Sequence, residues 1–168
     1  MTEPTPTPSP EVVDYDFGES VGYLIARVKS TLSNLINQRT VTELGVTGQQ
    51  ASVLFLVASG KCALAAELAR EFGVDASAVT RLADRLEQRG LLTRVRSSDD
   101  RRAVRLALTP EGQAIAQRMP EIFRSVSDLL MGGLSAEETG FLKSLLRRVL
   151  ANGCDAAHQA SLNPPANP

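Results

Sequence analysis

Residues 75–112 read DASAVTRLADRLEQRGLLTRVRSSDDRRAVRLALTPEG, and this stretch decides the fold. Val79, Leu82, Ala83 and Leu86 recur at i, i+3, i+4 and i+7, so on a helix they form one buried stripe. Ser77, Thr80, Arg81, Asp84, Arg85 and Gln88 lie off that stripe, and Asp75 has the side chain of an N-cap. Gly90 turns the chain. Residues 91–96 and 103–108 then read as two strands. In the second, Val104, Leu106 and Leu108 share one side and Ala103, Arg105 and Ala107 the other, the alternation of a hairpin with one face covered. The order is helix, then β-hairpin.

Positive charge is concentrated in the same place. Residues 77–105 hold eight arginines, at 81, 85, 89, 94, 96, 101, 102 and 105, against Asp84, Glu87, Asp99 and Asp100. The whole chain carries −1, so the remainder is net acidic. A basic helix and hairpin on an otherwise acidic chain suit a polyanion. The loop SSDDRR is more heavily charged than a tight turn requires, and its arginines extend from a strand pair.

Upstream, Leu64, Leu68, Ala69 and Phe72 give a helix over 63–72 that stops at Gly73. The short connector GVDAS joins it to the basic helix, which makes a helix-turn-helix. Lys61 and Cys62 are expected to form a short extended segment. After the hairpin comes Leu108-Thr109, opening a helix at Pro110. With the D-x-R of Asp100 and Arg102 before it, this arrangement resembles the MarR family of winged-helix transcription regulators. The resemblance covers about residues 17–150 and neither tail.

The resemblance implies a helix in the DNA major groove and a hairpin tip in the minor groove. Residue by residue, it assigns Ser77, Ala78, Thr80, Arg81 and Arg85 to the groove-facing helix. Arg94, Arg96, Ser98, Arg101 and Arg102 become hairpin contacts, with Arg102 at the tip. The residue types fit. Arginine donates two hydrogen bonds to a guanine edge, hydroxyls reach base or phosphate, and a narrow minor groove attracts a guanidinium. A carboxylate facing DNA would be repelled, so Asp100 is expected to shape the wing by pairing with Arg85 or Arg102.

The flanks read as helices. Val21, Leu24, Ile25, Val28, Leu32, Leu35 and Ile36 keep helical spacing. Thr47 with Gln50 makes a capping box for a helix ending at Gly60, and Ser135 with Glu138 makes another. Between them, Ile115, Met119, Ile122, Phe123, Val126, Leu129 and Leu130 run along one face, with Pro120 as a site of kinking. Phe141, Leu142, Leu145, Leu146, Val149 and Leu150 follow, and Asn152 and Gly153 are expected to end the last helix. The outer helices carry more apolar surface than a small helix-turn-helix lobe needs. A monomer would have to fold its ends back to cover it, whereas the resemblance implies interleaved helices of two subunits. The expected fold is mainly α with a small β-hairpin wing. A winged helix-turn-helix DNA-binding lobe (47–109) joins a helical dimerisation region (17–46 and 110–150), between a disordered 1–16 and a flexible 151–168.

Several function classes are excluded or narrowed. His158 is the only histidine, and the chain shows no glycine-rich phosphate loop, metal-ligand spacing or nucleophile-base pair, so neither an enzyme nor a cofactor is expected. No signal peptide and no membrane-length apolar run are read, and the distant Cys62 and Cys154 fit a reducing compartment, here the cytoplasm. The expected partners are double-stranded DNA with a palindromic operator and a second copy of the chain. By resemblance, a small aromatic carboxylate or phenol releases the DNA, with Arg27, Ser30 and Asn34 as the polar groups offered to it. Two alternatives stay open: redox control through Cys62, and a winged-helix module that binds another protein.

Overall fold

The computed structural model describes residues 16–96 and 104–162, with side chains over 16–95 and 105–154. A 3-10 turn, Phe17–Glu19, leads into α1 (Val21–Leu44), α2 (Gly48–Ala58), α3 (Ala65–Phe72) and α4 (Ala76–Gln88). The hairpin β1 (Leu92–Arg96) and β2 (Val104–Leu108) follows, then α5 (Pro110–Leu130) and α6 (Ala136–Leu162). The tails at 1–15 and 163–168, and the hairpin loop at 97–103, lie outside the described residues.

Short-range chemistry sets the helix starts. Thr47 Oγ1 accepts from the Gln50 amide at 3.2 Å while Gln50 Oε1 accepts from the Thr47 amide at 3.0 Å, the reciprocal capping box expected there. Asp75 accepts from the Ala78 amide at 2.9 Å. Thr109 Oγ1 accepts from the Gly112 amide at 3.1 Å, with Pro110 in the first turn, where its missing N–H costs nothing. Ser135 and Glu138 repeat the reciprocal box at 3.1 and 2.7 Å.

Several boundaries differ from the sequence expectation, among them the end of α2, at Ala58 rather than Gly60. The third helix starts at Ala65 rather than 63, because the amides of Ala63 and Leu64 both donate to the Glu67 carboxylate, at 2.6 and 2.9 Å. The Ala63 carbonyl accepts from the Leu106 amide at 2.8 Å, and Leu64 bridges to Arg105. The extended segment expected at Lys61 and Cys62 therefore lies two residues later, as a third strand-like edge on β2. The last helix runs through Asn152 and Gly153 to Leu162. A glycine costs only about 1 kcal/mol against alanine inside a helix, and the alanines on both sides outweigh it. The segment from 151 to 162 is thus helical rather than a flexible tail. Pro120 lies inside α5, which continues on both sides of it.

The hairpin pairs Leu92 with Leu108, Arg94 with Leu106 and Val95 with Arg105. Opposed residues share a face, so Leu92, Arg94, Leu106 and Leu108 form the inner side. Leu92 and Leu106 are buried, while Val95 on the outer side is half exposed.

The chain forms two compact units, residues up to Val126 and residues from Ser127 onward. In the first, Leu54, Leu68, Leu86, Leu92, Met119 and Ile122 are fully buried, and the α4 stripe of Val79, Leu82, Ala83 and Leu86 joins them. Phe55 stacks edge-on against Phe123 at 5.3 Å between centroids. The end of α1 is closed by Gly45 in the left-handed conformation. Arg118 of α5 donates to the Glu43 carbonyl there at 3.2 Å. In the second unit α6 has no buried residue among those described, and Phe141 and Leu150 are 67% and 70% exposed.

Gly112 sits where the first turn of α5 passes the corner after α4. A Cβ at this position would lie 1.9 Å from the Leu91 carbonyl oxygen. That atom is backbone, held by the Thr109 amide, and cannot swing aside. Gly112→Ala is expected to destabilise the fold by about 1–3 kcal/mol or more, as overpacking does. Urea unfolding of the two proteins measures it, and equal midpoints would contradict the packing described.

Candidate nucleic-acid interface

The buried stripe of α4 fixes which side chains face outward. Ser77, Thr80, Arg81 and Arg85 are exposed and Ala78 is partly so, on the face opposite Val79 and Leu86. All five expected helix contacts therefore share one accessible surface. Among the described residues no hydrogen bond or ion pair ties down the guanidinium of Arg81 or Arg85. Two cations are thus presented from one helix face at i and i+4.

The two hydroxyls are already committed as donors. Ser77 Oγ donates to Asp75 Oδ1, and Thr80 Oγ1 donates to the Ala76 carbonyl at 2.9 Å. Their oxygens remain as acceptors, suited to the amino groups of adenine or cytosine rather than to phosphate. The Ser77 hydroxyl and the Ala78 amide hold the Asp75 carboxyl below the ordinary aspartate range. The cap is therefore complete above that range and is lost as pH falls through the depressed value.

Arg94, expected as a DNA contact, is engaged within the protein. Its Nη2 lies 2.6 Å from Asp84 Oδ1 and its Nη1 2.5 Å from Glu87 Oε2, so it bridges two carboxylates three residues apart on α4. Strand alternation places Arg94 on the inner face beside Leu106, and its head reaches α4 from there. Hydrogen bonding to Asp84 above all, with the charge of Glu87, raises the ionisation of the guanidinium further. Arg94 is a clamp between wing base and helix. It also offsets half of the negative charge that Asp84 and Glu87 place on α4. The sequence carried a signal for this: Arg94 has the parity of Leu92, and Asp84 and Glu87 have i,i+3 spacing.

Ser98, Asp100, Arg101 and Arg102 lie outside the described residues, as does the side chain of Arg96. Arg105 of β2 is exposed on the outer face of the hairpin and was not among the expected contacts.

Of the effector candidates, Arg27, Ser30 and Asn34 are all exposed. A cavity of about 440 Å³ lies between α1, the start of α2 and the end of α3. Asn34 lines it together with Lys29 and Ser33, whereas Arg27 and Ser30 are not among its lining residues. The reason is helical phase. Lys29, Ser33, Ile36 and Asn37 recur at i, i+4, i+7 and i+8, and that stripe faces α2, where the Gly48 amide donates to Asn37 Oδ1 at 2.9 Å. Phe72 and Val74 complete the apolar wall, and Val74 directly precedes the N-cap of α4. Cys62 is 4% exposed, and burial, with Glu71 and Glu67 nearby, pushes its thiol up, which disfavours the reactive thiolate.

A helix-turn-helix followed by a β-hairpin wing is the architecture of a known group of proteins. The sequence model of the MarR family matches residues 44–103. The multiple antibiotic resistance protein MarR of Salmonella typhimurium is 33% identical over 133 residues, spanning 77% of this chain and 90% of that protein. The chain belongs to the MarR family. Members are winged-helix, DNA-binding transcription regulators rather than enzymes. A mutant MarR from E. coli complexed with operator DNA matches this MarR-family chain with a TM-score of 0.69 at 32% identity, covering 77% of it and 92% of its own chain. BpsR of Bordetella bronchiseptica, whose DNA binding is regulated by 6-hydroxynicotinic acid, matches with a TM-score of 0.67 at 27% identity, covering 80% and 96%. No helix among the described residues is long and apolar enough to cross a membrane.

The clamp yields a test. Arg94→Ala is expected to weaken operator binding by leaving Asp84 and Glu87 unbalanced, with a stability loss of about 1 kcal/mol or less per partly exposed pair. Adding Asp84→Asn and Glu87→Gln to the same protein is expected to restore most of the affinity. Fluorescence anisotropy on labelled operator reads both. Failure of the triple variant to recover would place Arg94 directly on DNA instead.

Proposed function

We propose that this chain is a homodimeric, sequence-specific DNA-binding repressor, released from a palindromic operator by a small aromatic acid. The observation that carries the reading is the outer face of α4: Ser77, Thr80, Arg81 and Arg85 exposed together on a helix whose opposite stripe is fully buried. The operator-bound E. coli relative supports a DNA partner. Phosphate contacts by the basic hairpin supply affinity, and the α4 side chains supply the sequence choice.

Dimerisation is supported by unpartnered apolar surface. Val21, Leu24, Ile25 and Val28 of α1 are exposed, and so are Phe141, Leu145, Leu146, Val149 and Leu150 of α6. Burying one such side chain contributes about 1.5–3 kcal/mol, so a second copy is a strong competitor to water. A two-fold dimer presents two recognition helices about one DNA turn apart and so reads a palindrome. A compartment holding DNA, the cytoplasm, follows from this reading.

Selection of bound sequences from a random DNA pool tests the core of the proposal. The parent protein is expected to return a palindrome, and Arg81→Ala to lose about 1–3 kcal/mol of discrimination at one position per half-site while keeping its fold. Unselective binding by the parent, or an unchanged preference in Arg81→Ala, would sink the assignment. Sedimentation of the parent at micromolar concentration should give a dimer, and charged replacements of Leu145 and Leu146 should abolish it.

The effector reading rests on the cavity at α1, α2 and α3. Its volume of about 440 Å³ suits a single-ring acid. Lys29 offers a cation for the carboxylate, Ser33 and Asn34 offer hydrogen bonds, and Phe72 and Val74 cover the ring. The hydroxynicotinic acid response of BpsR is of the same chemical class. A bound acid presses on the turn that leads into Asp75 and so disfavours the DNA-bound setting of α4. Linkage makes this reciprocal: an acid that weakens DNA binding about tenfold is itself bound about tenfold more weakly by the complex, a coupling of about 1.4 kcal/mol. Titrating benzoate, hydroxybenzoate and pyridine carboxylates against the complex is expected to release DNA from the parent and from Cys62→Ser, but not from Lys29→Met. Release by peroxide alone, lost in Cys62→Ser, would favour the redox alternative.

A further inference from the structure

The far end of the recognition helix is fastened differently from its start. Arg89 is the C-cap residue of α4, and its guanidinium leaves that helix altogether. Nη2 donates to the Gly45 carbonyl at 3.0 Å, just past the last turn of α1, and Nη1 donates to Gln50 Oε1 at 3.2 Å. Gln50 is 7% exposed, and the same oxygen accepts the Thr47 amide at 3.0 Å in the capping box of α2. One side chain thus joins the end of α4 to the end of α1 and the start of α2. The chemistry favours arginine there. A helix C-terminus carries partial negative charge, and a planar fork can meet two acceptors that a single ammonium would have to choose between.

We infer that Arg89 is a positioning residue, which fixes the angle of the recognition helix to α1 and thereby sets the half-site spacing that the protein accepts. This deepens the functional reading above and rests on it, since α1 bears on spacing only in a dimer that binds a palindrome. The guanidinium is spent on protein acceptors, and so its role is distinct from that of Arg81 and Arg85. The cavity reaches Val74, just before the N-cap of α4, whereas Arg89 holds the C-terminal end. A helix pinned at one end and pushed at the other pivots instead of sliding. Moving one half-site by a base pair shifts it by about 3.4 Å and about 35° around the duplex, a change that a rigid arrangement rejects and a loosened one tolerates.

The test uses the full chain and the palindrome selected by the parent, with one base pair inserted or removed at its centre, beside an isolated half-site. The parent is expected to prefer the selected spacing by about tenfold or more. Arg89→Met should keep half-site affinity within about twofold while its spacing preference falls below about threefold, and Arg89→Lys, which keeps the charge but not the fork, should lie between. Arg118→Met is the control, because Arg118 also donates at the end of α1 but comes from α5. Thermal melts confirm that each variant is folded, and Arg89→Lys keeps the comparison open if Arg89→Met is not. An unchanged spacing preference in the Arg89 variants, a uniform loss at every spacing and on the half-site, or an equal shift in Arg118→Met would each overturn the inference. A parent that shows no dependence on a palindrome would instead overturn the functional reading, and this one with it.

Discussion

The burial of four side chains on one face of α4 is the constraint on which the rest depends. Val79, Leu82, Ala83 and Leu86 can all leave water only at one rotational setting of the helix, since a turn of about 100° per residue leaves no second solution. Rotating α4 to bring Arg81 inward would expose Leu86 and bury a charge, and both changes are unfavourable by several kcal/mol. The outward face is therefore a consequence of the inward one. No separate device is needed to hold Ser77, Thr80, Arg81 and Arg85 on the exposed side. What needs separate devices is the placement of α4 against its neighbours, and the structure spends two arginines on it, one at the wing base and one at the end of α1.

The corner after α4 shows how tightly that placement is specified. Gly90 takes φ 68°, which lets the chain reverse within one residue. Its carbonyl accepts the Thr109 hydroxyl at 2.7 Å, and the next carbonyl, of Leu91, accepts the Thr109 amide and leaves room only for the bare Cα of Gly112. Thr109 thus closes the hairpin, caps α5 and holds the turn that ends α4. Displacing the wing without disturbing α5 would require these bonds to break together.

Much of this was legible in the sequence because it is local. Caps at Thr47, Asp75, Thr109 and Ser135 act over three residues, so their partners could be read directly. The stripe of α4 and the alternation of β2 were legible for the same reason. What the sequence did not settle depends on choices among distant partners or on small differences in propensity. Arg94 had the parity of an inner residue, yet charge suggested DNA, and only the approach of α4 shows that Asp84 and Glu87 reach it. The cavity-lining residues on α1 follow the helical phase set by α2, which brings Lys29 and Ser33 to the cavity with Asn34 and leaves Arg27 and Ser30 off it. The end of α6 turned on whether Asn152 and Gly153 outweigh the alanines after them. Arg89 looked like one more cation in a basic run, because nothing within four residues of it identifies Gly45 and Gln50 as its acceptors.

The clamp at Arg94 has a consequence for how such a protein searches DNA. An arginine whose charge is already outweighed by two carboxylates adds little to the release of condensed counterions when duplex approaches, so the sequence-blind part of the attraction is weaker than the number of arginines suggests. A weaker sequence-blind attraction shortens the stay on a wrong site. The less a protein is held by charge alone, the less time it spends on the long stretches of genome that carry no operator.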